Sequence, residues 1–325
     1  MRFALMIEPQ QGLSYDEQLA VVRRAESAGF ESFFRSDHYQ SFPGPSGQPT
    51  TDAWAVLAGL ARETSRITLG TLVSPITFRT IGNLAKVATT VDEMSGGRVE
   101  FGLGAGWNEI EHRELGLAFP EIGERADILE EHFAVLRGLW GEPDGWSFQG
   151  SHVAIESASF HPKPIARPGR PVGANGASRP RLLAGGDGTP RGLRIAARYA
   201  DEFNLSSSSP DMAREKFAAL DAACKAIGRD PASIGRSLMA GVLIGRDDDE
   251  LGRRKRALLE AFGNAGGADD WFAAREPRWI LGTRDKARAM VDRFAETGAE
   301  RLMLQDFLPR DLEMIDLMAE LLFPA

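Results

Sequence analysis

The residues that best suggest chemistry are Asp37 and His38, which lie shortly after the run Ser-Phe-Phe-Arg at 32–35. A neutral imidazole can stabilise a developing anion or exchange a proton near neutral pH. We therefore interpret His38 as the catalytic residue. The alternative is a histidine that caps the run and only ties the following loop down.

Two glycine-rich segments, 102–106 and 185–188, follow other short apolar runs. Backbone without a Cβ can closely approach a flat ring or a phosphate and can adopt positive φ. The first segment does not match the dinucleotide fingerprint GxGxxG, because Trp107 stands where the third glycine should fall. After the second, Thr189 is a natural N-cap and Pro190 suits the first helical position, so free amides would face a phosphate. We favour phosphate binding there over an ordinary Thr-Pro helix start.

Three further residues are candidates for contacts with a substrate. Glu8 follows the first apolar run and would orient a substrate, although a carboxylate in such a place is as often a salt-bridge partner. Phe42 and Trp107 lie in loops where an aromatic ring could stack on a ring system or simply pack under the loop. The remaining histidines show no metal-binding spacing, so we expect no metal site. These are His112, His132, His152 and His161.

Composition and charge exclude several classes of function. The chain has 325 residues, of which 43% are hydrophobic and 26% charged, as is typical of a soluble globular protein. Its formal net charge of −8 and its lack of a long Lys/Arg run argue against a nucleic-acid partner. Cys224 is the only cysteine, so no internal disulfide can form, and a cytoplasmic location is expected. Nothing approaches the ~20 apolar residues that cross a bilayer, and residues 1–7 read as a strand rather than a signal peptide, so no membrane partner is expected.

The elements that must position these residues alternate along the whole chain. Short aliphatic or β-branched runs, which predict strands, are each followed by apolar residues at helical spacing. Eight such units favour a closed parallel barrel over an open doubly wound sheet, which is the alternative. The predicted strands are Arg2–Ile7, Ser32–Arg35, Ile67–Val73, Arg98–Gly102, Arg181–Ala184, Glu202–Leu205, Ser237–Ile244 and Arg301–Leu304.

We therefore predict an α/β protein, a single (β/α)8 TIM-barrel domain over 1–325. Its active site would lie at the carboxyl ends of the strands, where the polar and glycine-rich residues would share one rim. Residues 141–178 contain eleven Gly or Pro residues, which makes a regular element unexpected, and we interpret them as an irregular insertion. A second insertion is expected at about 263–279.

Several of these segments together resemble the luciferase-like flavin and deazaflavin oxidoreductases. The resemblance covers nearly the whole chain and is weak only at 165–180 and 263–277. Within the superfamily, the Ser-Asp-His-aromatic sequence at 36–39 is similar to that of enzymes that use the deazaflavin cofactor F420. The segments that carry the resemblance are 36–39, 69–79, 95–98, 102–107, 185–188 and 196–201.

The resemblance implies hydride transfer between F420 and an organic substrate, with Asp37 and His38 beside the deazaflavin ring. It also implies a bulge at Leu72-Val73, often a non-proline cis peptide, that backs this ring. The implied cofactor site consists of Asp37, Leu72, Val73, Ser74, Gly104, Ala105, Gly106, Gly185, Gly186, Asp187, Gly188 and Thr189. The alternative is an FMN-dependent monooxygenase that uses reduced flavin and O2, for which a reductase partner would be needed. Homodimers are usual among such proteins.

The chain departs from the sugar-phosphate dehydrogenases of this group at two positions. Trp107 stands where they carry a glutamate that donates a proton, and Phe42 replaces a tryptophan. Arg278 resembles a contact to a substrate phosphate, but one arginine does not establish a phosphorylated substrate. Two further alternatives are a non-catalytic flavin-binding protein and a cofactor-free lyase or isomerase that uses Glu8 and Asp306 as acid and base.

Overall fold

The computed structural model describes residues 1–173, 176–263 and 268–323. Each strand of its main sheet ends in a polar or glycine-containing segment, and a helix follows most of them. The strands in chain order are β1 (Arg2–Ile7), β2 (Ser32–Arg35), β3 (Thr68–Pro75), β4 (Val99–Gly104), β5 (Trp146–Gln149), β6 (Ala154–Ala158), β7 (Arg181–Gly186), β8 (Glu202–Leu205), β9 (Gly235–Gly245), β10 (Ile280–Thr283) and β11 (Arg301–Asp306).

The main sheet closes into an eight-stranded parallel barrel. Its order is β9-β11-β1-β2-β3-β4-β7-β8, and pairing of β8 with β9 closes the ring. All of these pairs are parallel, so the carboxyl ends of the strands share one rim. The predicted (β/α)8 TIM barrel is therefore confirmed, and the open sheet is excluded.

The helices cover the outside of the barrel, and several begin at capping residues that the sequence indicates. Helix α1, for example, begins with a complete capping box, in which Ser14 accepts from the Glu17 amide and Glu17 accepts from the Ser14 amide. In chain order the helices are α1 (Tyr15–Ala28), α2 (Ala53–Glu63), α3 (Ile81–Ser95), α4 (Glu109–Leu115), α5 (Ile122–Gly141), α6 (Pro190–Tyr199), α7 (Pro210–Ala226), α8 (Asp248–Ala261), α9 (Ala268–Ala273), α10 (Arg284–Ala295) and α11 (Leu312–Leu322).

The prediction that 141–178 lacks a regular element is wrong. β5 and β6 form an antiparallel hairpin there, and Trp146 and Phe148 of β5 pack against the core. Trp146 lies against Gly138 of α5, where a Cβ would fall 2.1 Å from its ring. The hairpin was missed because its glycines and prolines flank the two short strands rather than interrupt them. Residues 174–175 of this predicted insertion lie outside the described residues.

The segment at 263–279 also contains a regular element, the short helix α9. Residues 264–267 of this predicted insertion and 324–325 of the predicted domain lie outside the described residues. A further strand, β10, was not predicted, because Gly282 interrupts its apolar run and the strand directly follows the segment interpreted as an insertion. It pairs with Val242–Gly245 of β9, where β9 extends past its pairing with β11.

Apolar side chains fill the space between barrel and helices, and a smaller apolar cluster lies separately from it. The smaller cluster consists of Ala4, Met6, Phe34, Leu72, Leu183 and Met303. At the amino ends of the strands, the fully buried Arg301 binds Glu100 and Glu202 at 2.7 Å each. The opposite rim carries the candidate site. No helix of the described residues is both long and apolar enough to cross a membrane.

Candidate active site

A cavity of about 1280 Å³ opens at the carboxyl ends of the barrel strands. Glu8 and Gln305, which are 297 positions apart in the chain, meet there because the closed sheet brings the strand ends together. The structure brings most of the residues singled out in the sequence to its wall. These are Glu8, His38, Phe42, Leu72, Val73, Gly104, Ala105, Gly106, Trp107, Gly185, Gly186, Asp187, Gly188, Thr189 and Arg278.

His38 is the titratable group of this wall whose contacts define a chemical role most clearly. Its Nδ1 lies 2.8 Å from Oε1 of Glu111, and Oε2 of the same carboxylate accepts from the Tyr39 amide at 2.9 Å. Because a carboxylate accepts hydrogen bonds, Nδ1 carries the proton, and Nε2 is left as the ring nitrogen that can accept one. The His38 side chain retains 14% exposure, whereas Glu111 is buried. The arrangement is that of a base oriented by a carboxylate.

Glu111 was not identified from the sequence. It lies in α4, a seven-residue helix that was not predicted because it is too short for helical periodicity to stand out. Asn108 caps this helix by accepting from the Ile110 amide at 3.2 Å. An asparagine N-cap followed by two glutamates, directly after the glycine segment, is the sequence signal that points to Glu111.

Asp37 and Ser74 lie behind the cavity wall rather than in it. Oδ2 of Asp37 accepts from Arg79 at 2.7 Å and from the Ser74 hydroxyl at 2.9 Å. Ser74 in turn accepts from the Trp54 indole at 2.9 Å. Burial lowers the pKa of Arg79, but the negative charges and hydrogen bonds of Asp37 and Asp52 outweigh it and raise this pKa overall. Among the described residues, the partners of Asp37 and Ser74 are thus side chains behind the cavity wall, which hold this part of the wall in place.

The wall between β3 and β4 is built around Val73. The peptide bond Leu72–Val73 is cis and the strand pairing shifts between Thr71 and Ser74, so the expected bulge is present. A Cβ at Gly104 would lie 2.5 Å from Val73 Cγ2, and one at Gly185 would lie 2.6 Å from Val73 Cγ1. The two glycines therefore allow Val73 to pack between strands, and they leave a flat surface there.

The segment after β7 offers unused backbone donors. Among the described residues, no group accepts a hydrogen bond from the amides of Asp187, Gly188 or Thr189. Thr189 caps α6 by accepting from the Gly192 amide at 3.2 Å, with Pro190 following as predicted. A Cβ at Gly186 would meet nothing within 4 Å, so open space lies beside this backbone. Free amides at a helix amino end and an open glycine next to a flat wall fit a phosphate-bearing ring cofactor.

Glu8 lines the cavity and has two side-chain amide partners. Its Oε1 accepts from Gln305 at 2.6 Å and its Oε2 from Gln10 at 2.7 Å. Glu8 is therefore hydrogen-bonded rather than ion-paired. Asp306, by contrast, is fully buried and does not line the cavity, so only one of the two carboxylates that the lyase or isomerase alternative would use faces the cavity.

Phe42 and Trp107 form an aromatic group with His38 at the mouth. The His38 and Phe42 rings lie 4.5 Å apart at 82°, and the Phe42 and Trp107 rings 5.1 Å apart at 85°. Trp107 is 66% exposed, which leaves one of its faces for a ligand. In the described part of the chain, no three His, Cys, Asp or Glu side chains are grouped as metal ligands.

Comparison with known proteins places this site in a family. The family model described as luciferase-like monooxygenase matches residues 1–311. A pyrimidine monooxygenase RutA of Stutzerimonas stutzeri is 28% identical over 256 residues, which are 76% of this chain and 65% of the relative. An F420-dependent glucose-6-phosphate dehydrogenase of Microbacterium testaceum is 32% identical over 211 residues, which are 63% of this chain and 57% of the relative.

A solved F420-dependent secondary alcohol dehydrogenase, in complex with an F420–acetone adduct, has the same fold. Its TM-score is 0.82 over 99% of this chain and 98% of that one, at 20% identity. The named relatives include both F420-dependent enzymes and a monooxygenase, so the comparisons show the luciferase-like family without choosing the cofactor. With its barrel, its strand-end cavity and a family match over 311 residues, this chain belongs to the luciferase-like monooxygenase family.

Proposed function

We propose that this protein is an oxidoreductase that transfers a hydride between coenzyme F420 and an organic substrate. The observation that carries the proposal is the His38–Glu111 contact, which leaves His38 Nε2 as a proton acceptor in the cavity wall. Oxidation of an alcohol removes a hydride and a proton together, so a base beside the redox cofactor is required. F420, when bound, supplies the ring carbon that accepts or donates the hydride.

Different residues of the cavity would bind the cofactor and transfer the proton. Val73, Gly104 and Gly185 would back the ring of the cofactor, and the amides of 187–189 would hold its phosphate. His38 Nε2 would take the proton from a substrate hydroxyl, or return it in the reverse direction. Glu111 would keep Nδ1 protonated and hold the imidazole plane in place.

We call Val73, Gly104, Gly185 and residues 186–189 the cofactor cradle. This cradle also fits the phosphate and ring of FMN, and the monooxygenases among the relatives favour this second candidate. The two functions differ in their requirement for oxygen. A monooxygenase would consume O2 with reduced FMN, whereas the proposed dehydrogenase would work under anaerobic conditions.

The test is turnover of F420 by the purified protein with a panel of alcohols, aldehydes and ketones in the absence of O2. We expect a change in the deazaflavin absorbance with at least one substrate class. If the same panel reacts only with reduced FMN and O2, the F420 proposal is wrong and the monooxygenase is the correct function.

A further inference from the structure

Four aromatic side chains form a continuous wall on the side of the cavity that the cofactor cradle does not use. We call Phe262, Trp271, Trp279 and Phe307 the aromatic wall; all four line the cavity. Trp279 stacks on Phe307 with centroids 5.3 Å apart at 13°. Edge contacts of 5.3 to 5.7 Å join Phe262 to Phe307, Phe262 to Trp271, and Trp271 to Trp279. This surface suits the face of a flat apolar group.

One guanidinium is fixed on the aromatic wall. The Cζ atom of Arg275 lies 3.4 Å from the centroid of Trp271 and 5.8 Å from that of Trp279. Its Nη1 donates to the Trp271 carbonyl at 2.9 Å, which fixes the orientation of the side chain. The planar group is therefore held in place before any ligand arrives.

Among the described residues, Arg275 has no carboxylate counter-ion, in contrast to Arg191 and Arg254. Arg191, also in the cavity wall, contacts Asp127, and the buried Arg254 pairs with Asp311 at 2.7 Å. No carboxylate of the described residues lies within salt-bridge distance of Arg275 or of Arg278, its neighbour in the wall. Burial, followed by the like charge of Arg278, lowers the pKa of Arg275. Two cations without a carboxylate partner make this corner of the cavity a place where an anion is favoured.

The four aromatic residues indicate the chemistry of the part of the ligand that is not the anionic group. Their side chains present ring faces and edges, so the hydroxyls of a sugar would find few partners there. A flat apolar ring would gain stacking contacts, and a carboxylate on it would match the two-pronged guanidinium.

We propose that Arg275 and the aromatic wall form a substrate subsite for an aromatic carboxylic acid, with the carboxylate on Arg275 and the ring on the wall. The subsite would set the substrate class of the oxidoreductase proposed above. Binding of the acid does not depend on that proposed function, whereas its reaction does. The anchor is Arg275 rather than Arg278, because Arg275 is half-buried and fixed whereas Arg278 is exposed.

The test is calorimetric titration of the full chain, without cofactor, with 2-naphthoate and with its uncharged counterpart 2-naphthalenemethanol. We expect naphthoate to bind more tightly, and Arg275→Gln to weaken naphthoate about tenfold or more while changing the alcohol little. Arg275→Lys keeps the charge and should recover part of the loss. Arg253→Gln is the matched control, because Arg253 is exposed on α8 and does not line this cavity.

Three outcomes would overturn the proposal: naphthoate that does not bind, naphthoate affinity that Arg275→Gln leaves unchanged, or inorganic phosphate that binds as tightly as naphthoate. The last would mean a simple anion site without a role for the aromatic wall. Because the titration involves neither cofactor nor turnover, its failure leaves the F420 proposal standing. A failed F420 assay likewise leaves the subsite standing.

Discussion

His38 Nδ1 and Glu111 Oε1 lie 2.8 Å apart, although 73 positions separate the two residues in the chain. The second oxygen of Glu111 accepts from the Tyr39 amide, so one carboxylate fixes both the imidazole and the backbone that carries it. A glutamine at this position has one acceptor oxygen and one NH2 group, so when its oxygen accepts from the Tyr39 amide its NH2 faces Nδ1 and favours the tautomer that is protonated on Nε2.

We predict that Glu111→Gln lowers kcat by roughly a hundredfold with a small effect on KM, because Nε2 then carries the proton and cannot accept one from the substrate. Nitrogen NMR of His38 should show loss of the proton on Nδ1, a change that a merely structural role would not produce. Glu114→Gln, an exposed change in the same helix, is the control. An unchanged tautomer and unchanged kcat would remove Glu111 from the mechanism.

His38→Ala should lower kcat by about 10²- to 10⁴-fold, the usual contribution of a general base. The fold should persist, because the side chain is partly exposed at the cavity and not in the core. Steady-state kinetics and the melting temperature together check this prediction. Full turnover in a correctly folded His38→Ala protein would exclude proton transfer by His38.

The sequence predicts the barrel well because most of its eight strands are short, mainly apolar runs that end in a polar or glycine segment. It also places His38, Glu8 and the glycine segments at one rim, since parallel strands share their direction. It does not predict Glu111 or the aromatic wall. These residues lie in short helices and in segments without periodicity, and only folding brings Phe262, Trp271 and Phe307 together.

Two glycines of the cradle should respond differently to alanine. Gly186→Ala should fold normally, because its Cβ meets nothing within 4 Å, but it should weaken cofactor binding about tenfold by filling that space. Gly104→Ala should instead destabilise the protein by about 1–3 kcal/mol, because its Cβ would press on Val73. Cofactor titration and urea unfolding of both variants measure these effects. Equal changes in cofactor affinity and in unfolding free energy for the two variants would contradict the proposed cofactor cradle.

Arg301 should contribute to stability and not to catalysis. It is fully buried at the amino ends of the strands, between Glu100 and Glu202. Arg301→Ala leaves these carboxylates buried without a partner, so we expect a loss of about 3–5 kcal/mol in the free energy of unfolding. Arg2→Ala, which removes an exposed pair with Glu31, should cost only about 0–1 kcal/mol. Comparable losses from the two changes in urea unfolding would refute this account.

Asp306 should make stability depend on pH. Burial raises its pKa to about 7, and its Oδ2 has no partner among the described residues. The pKa of Asp306 in the folded protein exceeds the unfolded value of about 3.9. Its contribution to the free energy of unfolding is therefore fully present below pH ~4 and is lost as pH rises to about 7. Asp306→Asn keeps the neutral form, so its stability relative to the parent should increase over this window. Parallel urea unfolding curves of both proteins from pH 4 to pH 8 measure this difference in the free energy of unfolding. A difference that stays constant with pH would show that Asp306 does not titrate in this range.

The central claim is that the strand-end cavity binds a deazaflavin beside His38. The most direct measurement is a parallel anaerobic titration of the purified protein with F420 and with FMN, followed by quenching of cofactor fluorescence. The account predicts that F420 binds more tightly and that Gly186→Ala weakens it. Tight binding of FMN with no detectable binding of F420 would contradict the account.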